Sequence, residues 1–97
     1  MTLRPGCQAE YQRRHNPIWP ELEAVLKDHG VWTYSIFLNR ENDQLFAYAE
    51  IESEAGWQKM AQTEVCQRWW ADMKDLMLTN ADESPVSITL DEVFHLD

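Results

Sequence analysis

The sequence predicts an α+β fold of the ferredoxin-like type, βαββαβ, with each helical crossover broken in two. Three observations predict it. Period-two apolar segments flank a polar turn in the middle of the chain. Helical periodicity fills the stretches before and after that pair. The 97 residues are enough for one domain, 1–97, and too few for two independently stable cores.

Met1 to Arg4 reads as a strand fragment that ends at the turn signal Pro5-Gly6. From Gln8 a helical period begins, with Tyr11, His15, Ile18, Leu22, Val25 and His29 at steps of three and four. Pro17 and Pro20 interrupt it. The expected solution is two helices, about 8–15 and 17–29, with Asn16 capping the second and Pro17 at its first position. Gly30 supplies the left-handed residue that follows a helix end. Val31 to Leu38 alternates, with Trp32, Tyr34, Ile36 and Leu38 on one face. Asn39 to Asp43 is a polar hairpin turn, and Gln44 to Ile51 is the returning strand. Glu54 to Gln62 supports a short helix. Thr63 caps a longer one, whose apolar stripe runs Val65, Cys66, Trp69, Trp70, Met73, Leu76 and Met77. Leu78 to Pro85 is a loop, and Ile88 to Leu96 a last strand. Helices on one face of the sheet leave the other face bare, so a homodimer with sheets face to face is expected.

Composition narrows the partners. Hydrophobic residues make up 44% and charged residues 26%, as in a folded globular chain. Asp and Glu number 17 against 8 Lys and Arg, a formal net charge of −9. Such a field repels phosphate backbones and anionic lipid, which disfavours nucleic acid and membrane surfaces and leaves neutral or cationic small molecules. No apolar run approaches a membrane span, and Met1-Thr2-Leu3-Arg4 lacks a signal-peptide core. Cys7 and Cys66 then read as reduced thiols of a cytoplasmic protein.

Most catalytic motifs are missing. Three glycines make no phosphate-cradling loop, and His15, His29 and His95 show no metal-ligand spacing, so no metal or cofactor is expected. One constellation remains. Tyr11 and His15 stand at i and i+4 on the inward stripe of their helix, where leucine is the ordinary choice. A phenol and an imidazole placed there must be hydrogen-bonded or face a cavity. Trp69 and Trp70, about 100° apart, line a broad inward face of the later helix, and Tyr34 faces inward from its strand. Taken singly, each has an ordinary reading as core. Together they describe flat aromatic walls, hydroxyl tips and one group titrating near neutrality, which suits a neutral polyol.

The run Tyr11-Gln-Arg-Arg-His15-Asn-Pro-Ile-Trp-Pro-Glu-Leu22 resembles the signature of the L-rhamnose mutarotases. Cys66-Gln-Arg-Trp69-Trp70 and the segment from Ser84-Pro85-Val86 to Phe94 share that resemblance, which extends over essentially the whole chain. It implies a dimeric α+β barrel that interconverts the α and β anomers of L-rhamnose. It also implies His15 as proton donor, with Tyr11, Tyr34, Trp69 and Trp70 contacting the monosaccharide. Family members generally start several residues earlier, so here Met1 falls inside the first strand. The same barrel also houses cofactor-free oxygenases and non-catalytic binding modules, because fold does not fix function.

Overall fold

The computed structural model describes all 97 residues, as a small α+β structure of four helices and one antiparallel strand pair. The helices are α1 (Gln8–Arg14), α2 (Pro20–Asp28), α3 (Glu54–Ala61) and α4 (Glu64–Met73). The strands are β1 (Val31–Asn39) and β2 (Gln44–Ile51). No helix is long and apolar enough to cross a membrane.

The broken crossover between the N-terminus and β1 is present, but it restarts one proline later than expected. Asn16 caps nothing ahead of it; its amide donates back to the Gln12 carbonyl, 2.8 Å away, and closes the end of α1. Pro20, rather than Pro17, occupies the first position of α2, where its missing N–H is no loss. Gly30 ends that helix at φ +84°, and its N–H donates to the Lys27 carbonyl. Nothing larger fits, since a Cβ there would lie 2.7 Å from the Cβ of Glu52.

β1 and β2 pair in the register Tyr34–Ala49, Ile36–Ala47 and Leu38–Leu45, with those six residues on the helix-facing side. The expected face held Trp32 as well. Instead the register slips between Val31 and Thr33, and this irregularity reverses the alternation. Val31 is 7% exposed and Trp32 is 71% exposed.

The N-terminal fragment lies between the start of β2 and the segment that follows α4. Leu3 donates to the Asp43 carbonyl and Leu45 donates to Met1, beside the start of β2. On the opposite edge Arg4 donates to Leu76 and Leu78 donates to Thr2. The contacts of this fragment are single bridges, Thr2–Gln44 and Leu3–Met77, rather than ladders.

That arrangement corrects two further expectations. The apolar stripe of α4 does not continue helically to Met77. The helix ends at Met73, and Leu76 and Met77 are buried as the segment that pairs with Leu3. The segment Ile88 to Leu96 is not a strand within the chain. Leu76 to Leu78 already occupies the free edge of the N-terminal fragment, and residues 87–97 make no main-chain hydrogen bond with the rest of the chain. Thr63 does cap α4, its hydroxyl accepting from the Cys66 N–H at 3.3 Å. The core gathers Leu3, Tyr11, Leu22, Leu45, Trp69, Met73, Leu76 and Met77 between the sheet and the helices.

Candidate active site

Two of the eight residues at the centre of that core carry polar tips, and around them the packing opens into a cavity of about 780 Å³. Tyr11 enters from the middle of α1 and His15 from its end, and Trp69 and Trp70 enter from α4. Tyr34 enters from β1, so all five residues expected at the site line one cavity.

The helical spacing of Tyr11 and His15 does what it implies. Their rings lie 4.2 Å apart between centroids, tilted by 34°. His15 is the residue that ends α1, and its Nδ1 lies 2.8 Å from the carbonyl oxygen of Tyr11. A carbonyl can only accept, so Nδ1 carries the proton and donates it. Nε2 is left as the lone-pair nitrogen of the neutral ring, and no side chain or main-chain group of the protein pairs with it. The indole of Trp69 meets the imidazole edge-on at 5.0 Å. Trp19, just ahead of α2, meets Trp69 in the same manner at 5.0 Å. The imidazole is thus fixed by a hydrogen bond on one side and by aromatic edges on the other.

Burial governs the electrostatics. It holds the His15 pKa below the ordinary imidazole value, and the Tyr11 carbonyl only partly offsets it by stabilising the protonated ring. Burial also raises both phenols, with the Tyr34 oxygen adding to the effect on Tyr11. Both therefore stay protonated at neutral pH. Neither hydroxyl is engaged by a hydrogen bond within the chain, although both line the cavity. The Cys66 thiol is pushed up to about 11 by burial, so it is a neutral apolar wall rather than a nucleophile.

One ion network sits behind the site. Arg14, next to His15, reaches Glu10 at 2.9 Å and the Asp75 carboxylate at 3.1 Å. It also donates to the main-chain carbonyl of Asp72 in the last turn of α4. Arg13 and Arg14 together hold the Glu10 carboxyl down at about 2. The fork of Arg14 therefore ties the end of α1 to the end of α4, the two elements that carry His15 and Trp69. No three His, Cys, Asp or Glu side chains converge as metal donors.

Two aromatic residues of the site were not singled out as contacts by spacing. Trp19 buttresses Trp69, and Trp57 of α3 stacks on Tyr34 with ring centroids 5.9 Å apart at 18°. The available signal for Trp57 was its i, i+3 relation to Met60, which marks one inward face of α3.

Comparison with known proteins bears on what this cavity handles. The family model described as L-rhamnose mutarotase matches residues 1–96. An L-rhamnose mutarotase of Pectobacterium carotovorum subsp. carotovorum is 60% identical over 97 residues, which cover all of this chain and 93% of that protein. One from Opitutus terrae is also 60% identical, with the same coverage. The crystal structure of an L-rhamnose mutarotase from Formosa agariphila superposes with a TM-score of 0.90 at 42% identity, over 100% of this chain and 93% of that one. From signature to backbone, the agreement runs the length of the polypeptide, and the chain belongs to the L-rhamnose mutarotase family.

Proposed function

We propose that this cavity interconverts the α and β anomers of L-rhamnose, with His15 moving the proton. The observation that carries the reading is the fixed tautomer of His15, its Nδ1–H on the Tyr11 carbonyl and its Nε2 lone pair unpaired.

Anomer exchange transfers one proton in total. The anomeric hydroxyl loses it, the bond from C1 to the ring oxygen breaks, and the ring oxygen gains it. The resulting aldehyde turns about its C1–C2 bond, and the ring recloses by the same steps reversed. Both oxygens are attached to C1, so one nitrogen serves both. A neutral Nε2 takes the proton from the anomeric hydroxyl, and the imidazolium so formed returns it to the ring oxygen as the acid. The role of proton donor expected from the family resemblance is thus the second half of a shuttle whose first half is basic. Depression of the His15 pKa by burial supports this order, because the resting ring is neutral. Catalysis of this kind contributes roughly 10²–10⁴-fold, and it needs no covalent intermediate. Tyr11 and Tyr34 offer hydroxyls to the sugar, and Trp69 and Trp70 pack on its C–H face and methyl group.

The chain acts as a homodimer in this reading, with the sheets facing each other as an α+β barrel. Two features support it. Phe37, Phe46 and Tyr48 lie exposed on the sheet face away from the helices. Beyond them, Ile88, Leu90, Phe94 and Leu96 share one strand parity, and their segment has no main-chain partner in the chain. Unpaired Cys7 and Cys66 fit a cytoplasmic enzyme.

The test is saturation-transfer NMR on L-rhamnose and two other aldoses, run beside a measurement of solution mass. The proposal requires accelerated exchange of L-rhamnose anomers. Sugar binding without acceleration would leave a binding module, and dioxygen consumption with an aromatic substrate would mark an oxygenase.

A further inference from the structure

We infer that Trp57 is a positioning residue of the site, one that sets the direction of the Tyr34 hydroxyl through the stack between their rings. The inference rests on the reading that Tyr34 contacts the sugar.

Tyr34 stands on a part of the sheet that gives its ring little support. Its cross-strand partner is Ala49, and the next pair along the same face is Ile36 with Ala47. Cross-strand side chains are the usual restraint on a strand aromatic, and here both neighbours from β2 stop at a methyl group. The hydroxyl makes no hydrogen bond within the chain either, so it does not anchor the ring from its far end. What remains is the contact with Trp57, at 5.9 Å and 18°, the widest of the four aromatic contacts but the one nearest to parallel.

Trp57 is itself well held. Ser53 caps α3 immediately after β2, its hydroxyl accepting from the Gly56 N–H at 3.0 Å. The N–H of Trp57 donates to the Ser53 carbonyl at 3.2 Å. Gly56 is required beside it, because a Cβ there would stand 2.7 Å from the carbonyl oxygen of His29. The start of α3 is therefore pressed against the end of α2, and the indole is delivered from a fixed backbone. Tyr34 lines the cavity together with Tyr11 and His15, and without the indole the two alanines leave its ring room to swing. An offset stack between flat rings orients as well as attracts, which an aliphatic side chain of similar bulk does not do.

The experiment uses Trp57→Leu, Trp57→Phe, Tyr34→Phe and the Trp57→Leu/Tyr34→Phe double variant of the full chain. For each, KM and kcat for L-rhamnose anomer exchange are read by NMR, with folding checked by circular dichroism. Loss of an oriented hydroxyl weakens ground state and transition state alike, so Trp57→Leu is expected to raise KM roughly five- to ten-fold with kcat nearly kept. Trp57→Phe retains a flat ring and is expected to restore KM to within about two-fold of the parent. Tyr34→Phe is expected to raise KM similarly, and the double variant no further, since both changes remove one contact. Additive losses in the double variant, or an unchanged KM in folded Trp57→Leu while Tyr34→Phe is impaired, would overturn the inference and leave the Tyr34 contact standing. An unchanged KM in Tyr34→Phe would remove that contact and the inference with it. Should Trp57→Leu not fold, an impaired KM in Trp57→Phe would count against the inference, because the stack survives that change.

Discussion

His15 is the residue on which the chemistry turns, and its environment makes a signed statement about pH. Burial disfavours the imidazolium, so its pKa lies below the ordinary value of about 6.5. A shuttle that begins as a base is active when neutral. Exchange activity is therefore expected to be level above neutrality and to fall as pH drops through that lowered pKa. The acid limb then lies below the titration of a free imidazole, and a limb at or above that point would contradict the neutral resting state. Tyr11 makes a second residue-scale prediction. It anchors Nδ1 through its main-chain carbonyl, which survives replacement of the side chain. Tyr11→Phe is expected to raise KM several-fold, as one neutral hydrogen bond to the sugar is lost, and to leave the acid limb of the pH profile where it was. Much of this was legible in the sequence. The i, i+4 spacing put phenol beside imidazole, and an inward stripe that tolerated both implied a cavity. The tautomer was not legible, because it depends on the ring turning back onto the helix it terminates.

At the scale of elements, α1 and α4 must keep a constant separation if His15 is to stay edge-on to Trp69. Arg14 spans that gap, from Glu10 on α1 to Asp72 and Asp75 at the end of α4. Arg14→Ala is expected to lower kcat several-fold while the acid limb of the pH profile stays in place, since the carbonyl anchor of His15 is untouched. The start of α4 hangs on Thr63, and Thr63→Ala is expected to destabilise the fold by about 1 kcal/mol. A thermal melt would show this as a drop of roughly 4–8 °C. The order of the four helices and the central strand pair was readable from periodicity and turn residues, and so was the Thr63 cap. The errors had physical causes. Alternation cannot reveal a bulge, so Trp32 was given the wrong face. A buried segment paired to Leu3 is apolar for the same reason a helix stripe is, so Leu76 and Met77 were absorbed into α4. Pro17 and Pro20 offer the same signal three residues apart, and only the turn after His15 decides between them.

For the molecule as a whole, the expectation that failed is the last strand, Ile88 to Leu96. Its strand period was legible, but which edge a strand joins is a non-local property, and within the chain that edge is taken by Leu76 to Leu78. Exposed Phe37, Phe46 and Tyr48 mark the face on which a second copy is expected. A Phe37→Glu/Phe46→Glu variant is expected to shift the solution mass from two chains to one, because two charges would be buried without partners. A mass of one chain for the unaltered protein would contradict the dimer. The first residues of the chain show a related economy, in that Thr2 and Leu3 hold the centre of the sheet with single bridges on each side.

The central claim is that one imidazole carries the proton, and anomer exchange in His15→Ala tests it most directly. With the fold confirmed by circular dichroism and L-rhamnose binding measured in parallel, enzymatic exchange is expected to fall by roughly 10²–10⁴-fold while the sugar still binds. Exchange at the parent rate in the folded variant would contradict the account.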